Sequence, residues 1–174
     1  LKWTEDRLEH LLASSSTSDR ADEIEAAFDK EGQLTGLRFK NLVNVGAYVR
    51  APEPASVYRM HAAANACYRV RDIAIDNRLV TTNKMPIGLN RGYGGPQFYF
   101  GLERAMDVAA RRLNLDPAEI RRRNFLPADS FPYDAPAGAI YDSGDYGKGL
   151  EMLLQIADYP RLKEKRRIAR SKGR

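Results

Sequence analysis

Apolar residues change their period several times along the chain, and each change marks an element. Leu8, Leu11 and Leu12 recur at helical spacing, which predicts a short amphipathic helix over 5–12, and Leu1, Lys2 and Trp3 before it read as the end of a strand. Ser14, Ser15, Ser16 and Thr17 form a polar loop. Beyond it Ile24, Ala26 and Phe28 alternate with polar neighbours, Asp29, Lys30, Glu31 and Gly32 supply turn chemistry, and Leu37, Phe39, Val43 and Val45 resume the alternation. Residues 22–47 are therefore expected to form an antiparallel hairpin.

Pro52 and Pro54 punctuate the chain before a predicted helix over 55–66, and 68–82 is a second β region rich in Val and Ile. A loop over 84–95, carrying Pro86, Gly88, Gly92, Gly94 and Gly95, delivers the chain to its strongest helical pattern. There Phe98, Leu102, Ala105, Ala109 and Leu113 form an apolar face, backed by Glu103, Arg104, Asp107, Arg111 and Arg112. Pro96 is expected at the first helical position, where a missing N–H costs nothing. Asp116, Pro117 and Glu119 spell a second helix start, with a capping residue and a returning carboxylate.

Pro127, Pro132 and Pro136 give 126–138 the look of an extended surface loop, and Ser143 or Asp145 caps a last helix carrying Leu150, Leu153, Leu154 and Ile156. Strands early and helices late favour an α+β fold, an antiparallel or mixed sheet with packed helices, over a doubly wound one. The whole of 1–174 reads as one partial segment of a domain. A strand, helix and hairpin run to about residue 50, a helix, strand, glycine loop and further helices fill 51–125, and a Pro-rich loop with a basic helix completes 126–174.

The chain has 174 residues, enough for a core without staples, and Cys67 is its one cysteine, so neither an internal disulfide nor a thiolate metal cage can be built from it. A reducing, cytoplasmic setting is the resulting expectation. No apolar run approaches the ~20 residues that cross a bilayer. The net charge of +5 is concentrated in 161–174 (RLKEKRRIARSKGR), which reads as a solvated tail. The aromatic interleaving and glycine motifs of RNA-binding segments are missing there, so no nucleic-acid partner is expected.

The chemistry sits in Arg91-Gly92-Tyr93-Gly94-Gly95-Pro96-Gln97, between a strand-led loop and a helix start. Glycines allow positive φ and close approach, so successive backbone N–H groups can face one concavity, with the helix dipole adding attraction for an anion. Arg91 adds a fork that can hold a phosphate or oxo ligand through two hydrogen bonds. The spacing is neither a Walker A loop nor a dinucleotide fingerprint. An ordinary structural turn uses the same residues.

This segment closely resembles the R-G-[FY]-G-G-P-Q stretch that lies against molybdenum and its pterin in the xanthine dehydrogenase and aldehyde oxidase family. Trp3-Thr4-Glu5-Asp6-Arg7, Val45-Gly46-Ala47-Tyr48, Asp116-Pro117-Ala118-Glu119-Ile120-Arg121 and Tyr141-Asp142-Ser143-Gly144-Asp145-Tyr146 look like family segments in family order, across nearly the whole chain. The likeness is to the bacterial nicotine, caffeine and carbon monoxide dehydrogenase-like large subunits rather than to animal xanthine oxidase.

The resemblance implies part of a large subunit that binds molybdopterin, expected as the cytosine dinucleotide, and hydroxylates an aldehyde or N-heterocycle carbon with oxygen from water. It implies partner subunits carrying 2Fe-2S clusters and FAD, assembled as a homo-oligomer of heterotrimers, and a small aromatic or aldehyde substrate. By the same resemblance Asn90, Arg91, Gly92, Tyr93, Gly94 and Gln97 would contact the cofactor, Arg91 beside the metal, and Tyr93 and Arg59 would lie near substrate. Asn90 stands where the family has phenylalanine, which leaves the substrate class open. The catalytic glutamate of relatives belongs to a part of the subunit outside this chain, so no catalytic residue is expected within it and the isolated chain is expected to be inactive.

Two other readings are open on the residues alone, a non-enzymatic phosphate- or nucleotide-binding module and a basic nucleic-acid-binding domain. His10 and His61 lack partners at ligand spacing, and Cys67 reads as a small buried hydrophobe. Tyr99 and Phe100 could meet a cofactor, whereas Phe98 is expected in the core.

Overall fold

The computed structural model describes residues 1–15, 19–49, 60–89, 91–92 and 94–173. A first helix, α1 (Arg7–Ala13), opens with a capping box between Asp6 and Glu9 but buries none of its residues. Leu1 and Trp3, expected to end a strand, are exposed and in no strand. With nothing described to pair against, their backbone has no ladder to join.

The frame is a three-stranded sheet. β1 (Asp19–Phe28) and β2 (Leu34–Gly46) form the expected antiparallel hairpin, with Ile24 opposite Phe39 and Ala26 opposite Leu37. β3 (Asp72–Thr81) pairs parallel on the other side of β2, so the sheet is mixed with β2 central. A parallel return needs a crossover, and residues 47–71 are long enough to make one. The second β region starts later than its composition suggested, at Asp72, while Tyr68 forms only an isolated bridge to Phe125. Of the helix expected over 55–66, the part before Met60 lies outside the described residues, and from Met60 onward the chain makes only a short 3-10 turn at His61–Ala63.

Alternation along β2 puts Leu37, Phe39, Val43 and Val45 inward and leaves Arg38 and Leu42 exposed. The long helix α2 (Gly95–Arg112) covers the inward face with Phe98, Leu102, Met106 and Ala109, and Phe98 stacks on Phe39 with ring centroids 4.1 Å apart. Gly101 allows close approach, because a Cβ there would fall 2.1 Å from Ile24 Cδ1. Pro96 occupies the second helical position, after Gly95, rather than the first.

α3 (Pro117–Asn124) is capped by Asp116, whose carboxylate accepts from the Ala118 N–H at 2.8 Å. Glu119 does not return to the cap as expected; Arg122 and Arg123 draw its two oxygens to 2.6 and 2.8 Å. α2, α3 and the Tyr68 segment are tied by one network. The buried Tyr68 hydroxyl donates to Glu103 at 2.7 Å, and Arg121 holds the same carboxylate through Nε and Nη2 at 2.9 and 2.7 Å.

The Pro-rich region is not wholly extended loop: β4 (Tyr133–Asp134) within it pairs antiparallel with β5 (Ile140–Tyr141) just beyond it. Ala139 N–H reaches the Ala62 carbonyl at 3.1 Å and Tyr141 reaches Asn65 at 3.1 Å, so this small hairpin covers the turn before Tyr68. α4 (Tyr146–Ile156) takes Asp145 as its cap. The basic tail is an ordered helix, α5 (Tyr159–Ser171), whose residues remain largely exposed.

Candidate functional site

The glycine turn opens α2. Gly92 and Gly94 have φ of +90° and +79°, conformations that side chains with a Cβ rarely adopt, and Gly94 is the residue that caps the helix. The Gly95 N–H turns back to the Gly92 carbonyl at 2.8 Å, and the Gly94 carbonyl accepts the first helical bond from Phe98 N–H at 3.1 Å. The expectation of successive amides aimed into one concavity is thereby narrowed, since Gly95 donates within the turn and Pro96 has no N–H to give. Attraction for an anion comes from the exposed Arg91, the exposed backbone at Gly92, and the positive end of the 18-residue helix α2, worth roughly half an elementary charge.

Arg91, Gly92, Gly94 and Gln97 are thus gathered at one end of one helix, Arg91 and Gly92 exposed, Gly94 buried and Gln97 half-buried. Asn90, Tyr93 and Arg59 lie outside the described residues. Met60, which comes directly after Arg59, sits against the turn: a Cβ on Gly95 would meet Met60 Cγ at 3.5 Å, and the Tyr99 hydroxyl bonds the Ala63 carbonyl at 3.3 Å. Met60 and Ala63, on the described part of the connection between β2 and β3, therefore lie against the start of α2. Phe98 is core as expected, Tyr99 braces the crossover, and Phe100 points out, 73% exposed, on the rim of a groove of about 860 Å³ between β1 and α2.

Spacing alone missed Arg20. Its side chain is 4% exposed, and its Nη2 donates to the Gly94 carbonyl at 2.8 Å across 74 positions of sequence. Asp22 stands 3.4 Å from its Nε. Burial pulls the Arg20 pKa below the usual guanidinium range against the pull of Asp22, and the same burial raises the Asp22 carboxyl against the pull of Arg20. One signal was available. Arg20 and Asp22 are in phase with Ile24, Ala26 and Phe28, so the alternation that assigns the strand also turns two opposite charges inward.

His10 is on exposed α1 beside Glu5, and His61 meets Asn77 at 3.2 Å and Phe98 at 5.8 Å between centroids. Among the described residues, no three His, Cys, Asp or Glu side chains are gathered as a metal cage. Burial first, then Glu103, pushes the Cys67 thiol up to about 11, which keeps it from being a thiolate at neutral pH. No described helix is long and apolar enough to cross a membrane.

A family described as the molybdopterin cofactor-binding domain matches residues 1–125. The chain is 35% identical over its full length to the nicotine 6-hydroxylase large subunit of Paenarthrobacter nicotinovorans, of which it spans 21%. It is 32% identical over 92% of its length to the carbon monoxide dehydrogenase large chain of Hydrogenophaga pseudoflava, spanning 20% of that chain. Quinoline 2-oxidoreductase from Pseudomonas putida 86 superposes with a TM-score of 0.90 at 30% identity, covering 98% of this chain and 22% of the other. The chain therefore spans about a fifth of the length of the relatives it matches.

Proposed function

Because the chain belongs to the molybdopterin cofactor-binding domain family, we propose that it is the cofactor-cradling part of the large subunit of a cytoplasmic, bacterial-type molybdenum hydroxylase. The observation that carries this reading is the turn itself: a left-handed Gly92, exposed without a Cβ, next to the exposed residue Arg91 at the positive end of α2. That donor set fits a phosphate-bearing, anionic ligand. A Cβ at Gly92 would press on Pro96 at 3.1 and 3.2 Å, so the turn tolerates nothing bulkier there. When bound, the cofactor supplies two-electron hydroxylation of an sp2 carbon with oxygen from water.

The protein's own residues bind and orient. Arg91 neutralises the anionic ligand, Gly92 and Gly94 let backbone approach it closely, and Gln97 offers a side-chain amide from the first turn of α2. Asn90 and Tyr93 complete the contact, Tyr93 as a flat wall for a planar substrate. Arg59 is assigned beside substrate, which is supported by the packing of its neighbour Met60 against Gly95. The cofactor form is molybdopterin cytosine dinucleotide, and the electrons leave through partner subunits holding 2Fe-2S clusters and FAD, in a homo-oligomer of heterotrimers. The substrate is a small aromatic heterocycle or an aldehyde.

The test is elemental and pterin analysis of the full-length enzyme purified with its partners. About one molybdenum and one cytidine monophosphate released by acid per large subunit are expected. A correctly folded enzyme with neither refutes the reading. Arg91→Ala is expected to lower molybdenum occupancy about tenfold, and Arg91→Lys, which keeps charge but loses the fork, by less.

A further inference from the structure

We propose that Arg20 is a positioning residue for the cofactor turn: its buried guanidinium, steadied by Asp22, grips the Gly94 carbonyl and so holds the left-handed bend that presents Gly92 and Arg91. The inference rests on the molybdopterin reading of that turn and adds to it a residue on another element, far away in sequence.

The geometry is specific. Gly94 caps α2 in a left-handed conformation, and its carbonyl already accepts the Phe98 N–H at 3.1 Å. Arg20 supplies a second, charged donor to the same oxygen at 2.8 Å. A carbonyl pinned from two sides cannot rotate, so the peptide between Gly94 and Gly95 is held in one orientation, and with it the Gly95 N–H that closes the turn on Gly92 at 2.8 Å. Released from Arg20, the Gly94 carbonyl would keep only the local Phe98 bond, in a turn built on glycines, the residues that lose most conformational freedom on ordering.

Burying Arg20, its side chain 4% exposed beside an Asp22 side chain that is 18% exposed, carries a cost. A fully buried cation needs a partner, and an Arg–Asp pair inside a fold is often no more stabilising than apolar residues of the same size. Here the apolar alternative is already present in the same register, since Ile24 and Ala26 continue the inward row of β1. Asn41, opposite Asp22 and 3% exposed, adds to the polar strip, giving its amide to Asn77 at 2.7 Å. The strip begins under the glycine turn and runs across the sheet, where packing alone would favour hydrocarbon. Asp22 and Gln97 both line the near end of the β1–α2 groove, which puts the Arg20 support immediately behind the first turn of α2.

The experiment uses the full-length enzyme with its partner subunits and compares Arg20→Gln, Arg20→Lys and the double variant Arg20→Met with Asp22→Asn, which removes both charges together. Three quantities are read on folded protein: thermal midpoint, molybdenum per large subunit, and the rate at which molybdopterin is lost on prolonged dilution. Arg20→Gln and the double variant are expected to lose the cofactor about tenfold faster than wild type, and Arg20→Lys, which still donates to Gly94, is expected to recover part of that loss. A double variant that keeps molybdenum as firmly as wild type overturns the inference, as does one whose midpoint falls while retention per folded molecule stays constant. A wild-type enzyme containing no molybdenum removes the cofactor reading itself, and the inference with it, an outcome distinct from loaded wild type with equally loaded variants.

Discussion

At Asn124 three hydrogen bonds converge on one side chain that is 1% exposed. Its Oδ1 accepts from Leu34 N–H at 2.6 Å, and its Nδ2 donates to the Gly32 and Ile120 carbonyls, each at 2.7 Å. The residue thus joins the end of α3 to the turn between β1 and β2, 90 positions away. Asn124→Leu keeps the branched shape but removes the partner of one buried N–H and of two carbonyls, which costs about 2–4 kcal/mol. The thermal midpoint should fall by several degrees, and Asn124→Asp, which preserves only the acceptor, should also be destabilising. An unchanged midpoint for Asn124→Leu would show that water or a backbone shift replaces all three bonds. Tyr68 and Arg20 act in the same way, as single polar side chains spanning elements that sequence separates.

Between elements, the docking of α5 on α3 is electrostatic. The Tyr159 hydroxyl bonds the Asp116 carboxylate at 3.1 and 3.2 Å, and Lys163 approaches it at 2.9 Å. Burial opposes ionisation of Asp116, yet Lys163, the Ala118 N–H and Tyr159 together hold its carboxyl below the usual carboxylate value. A carboxyl with a depressed folded pKa contributes stability that is present above its unfolded value of about 4 and is lost as pH falls through the lower folded value. Acidification should therefore release α5 and weaken the α3 cap together. Backbone amides of α5 are expected to exchange several-fold faster as pH is lowered through that range, after correction for intrinsic rates, and Asp116→Asn should abolish the pH dependence. Persistent protection of α5 in acid would mean that packing of Tyr159, rather than charge, secures the helix.

On the scale of the whole molecule, the core between α2 and the inward sheet face is complete, while other apolar surface is open. Leu8, Leu11 and Leu12 on α1 are 66, 56 and 70% exposed, and Ile156 on α4 is 81% exposed. Exposed apolar side chains grouped on one helix, as on α1, favour association in water. The 174-residue chain produced by itself is expected to self-associate with rising concentration and to bind an environment-sensitive dye, and Leu8→Glu with Leu12→Lys should reduce both. Sedimentation that stays monomeric across the concentration range, with no change in the double variant, would contradict this.

The sequence by itself determined the elements whose periodicity is local: the β1–β2 hairpin, the apolar face of α2 and the Asp116 cap are set by neighbours a few residues apart. The motif order from Trp3 to Tyr146 likewise carried the family, and the residues of the glycine turn carried the candidate site. Tertiary structure alone decided that β3 joins β2 in parallel, that Glu119 turns to arginines and not to its cap, and that Arg20 reaches Gly94. Each of these depends on which groups become neighbours once the chain has closed on itself. Register, burial and competition for a hydrogen-bond partner have no counterpart in spacing along a chain, and the strength of a buried charge comes from the low-dielectric surroundings that only the assembled fold creates.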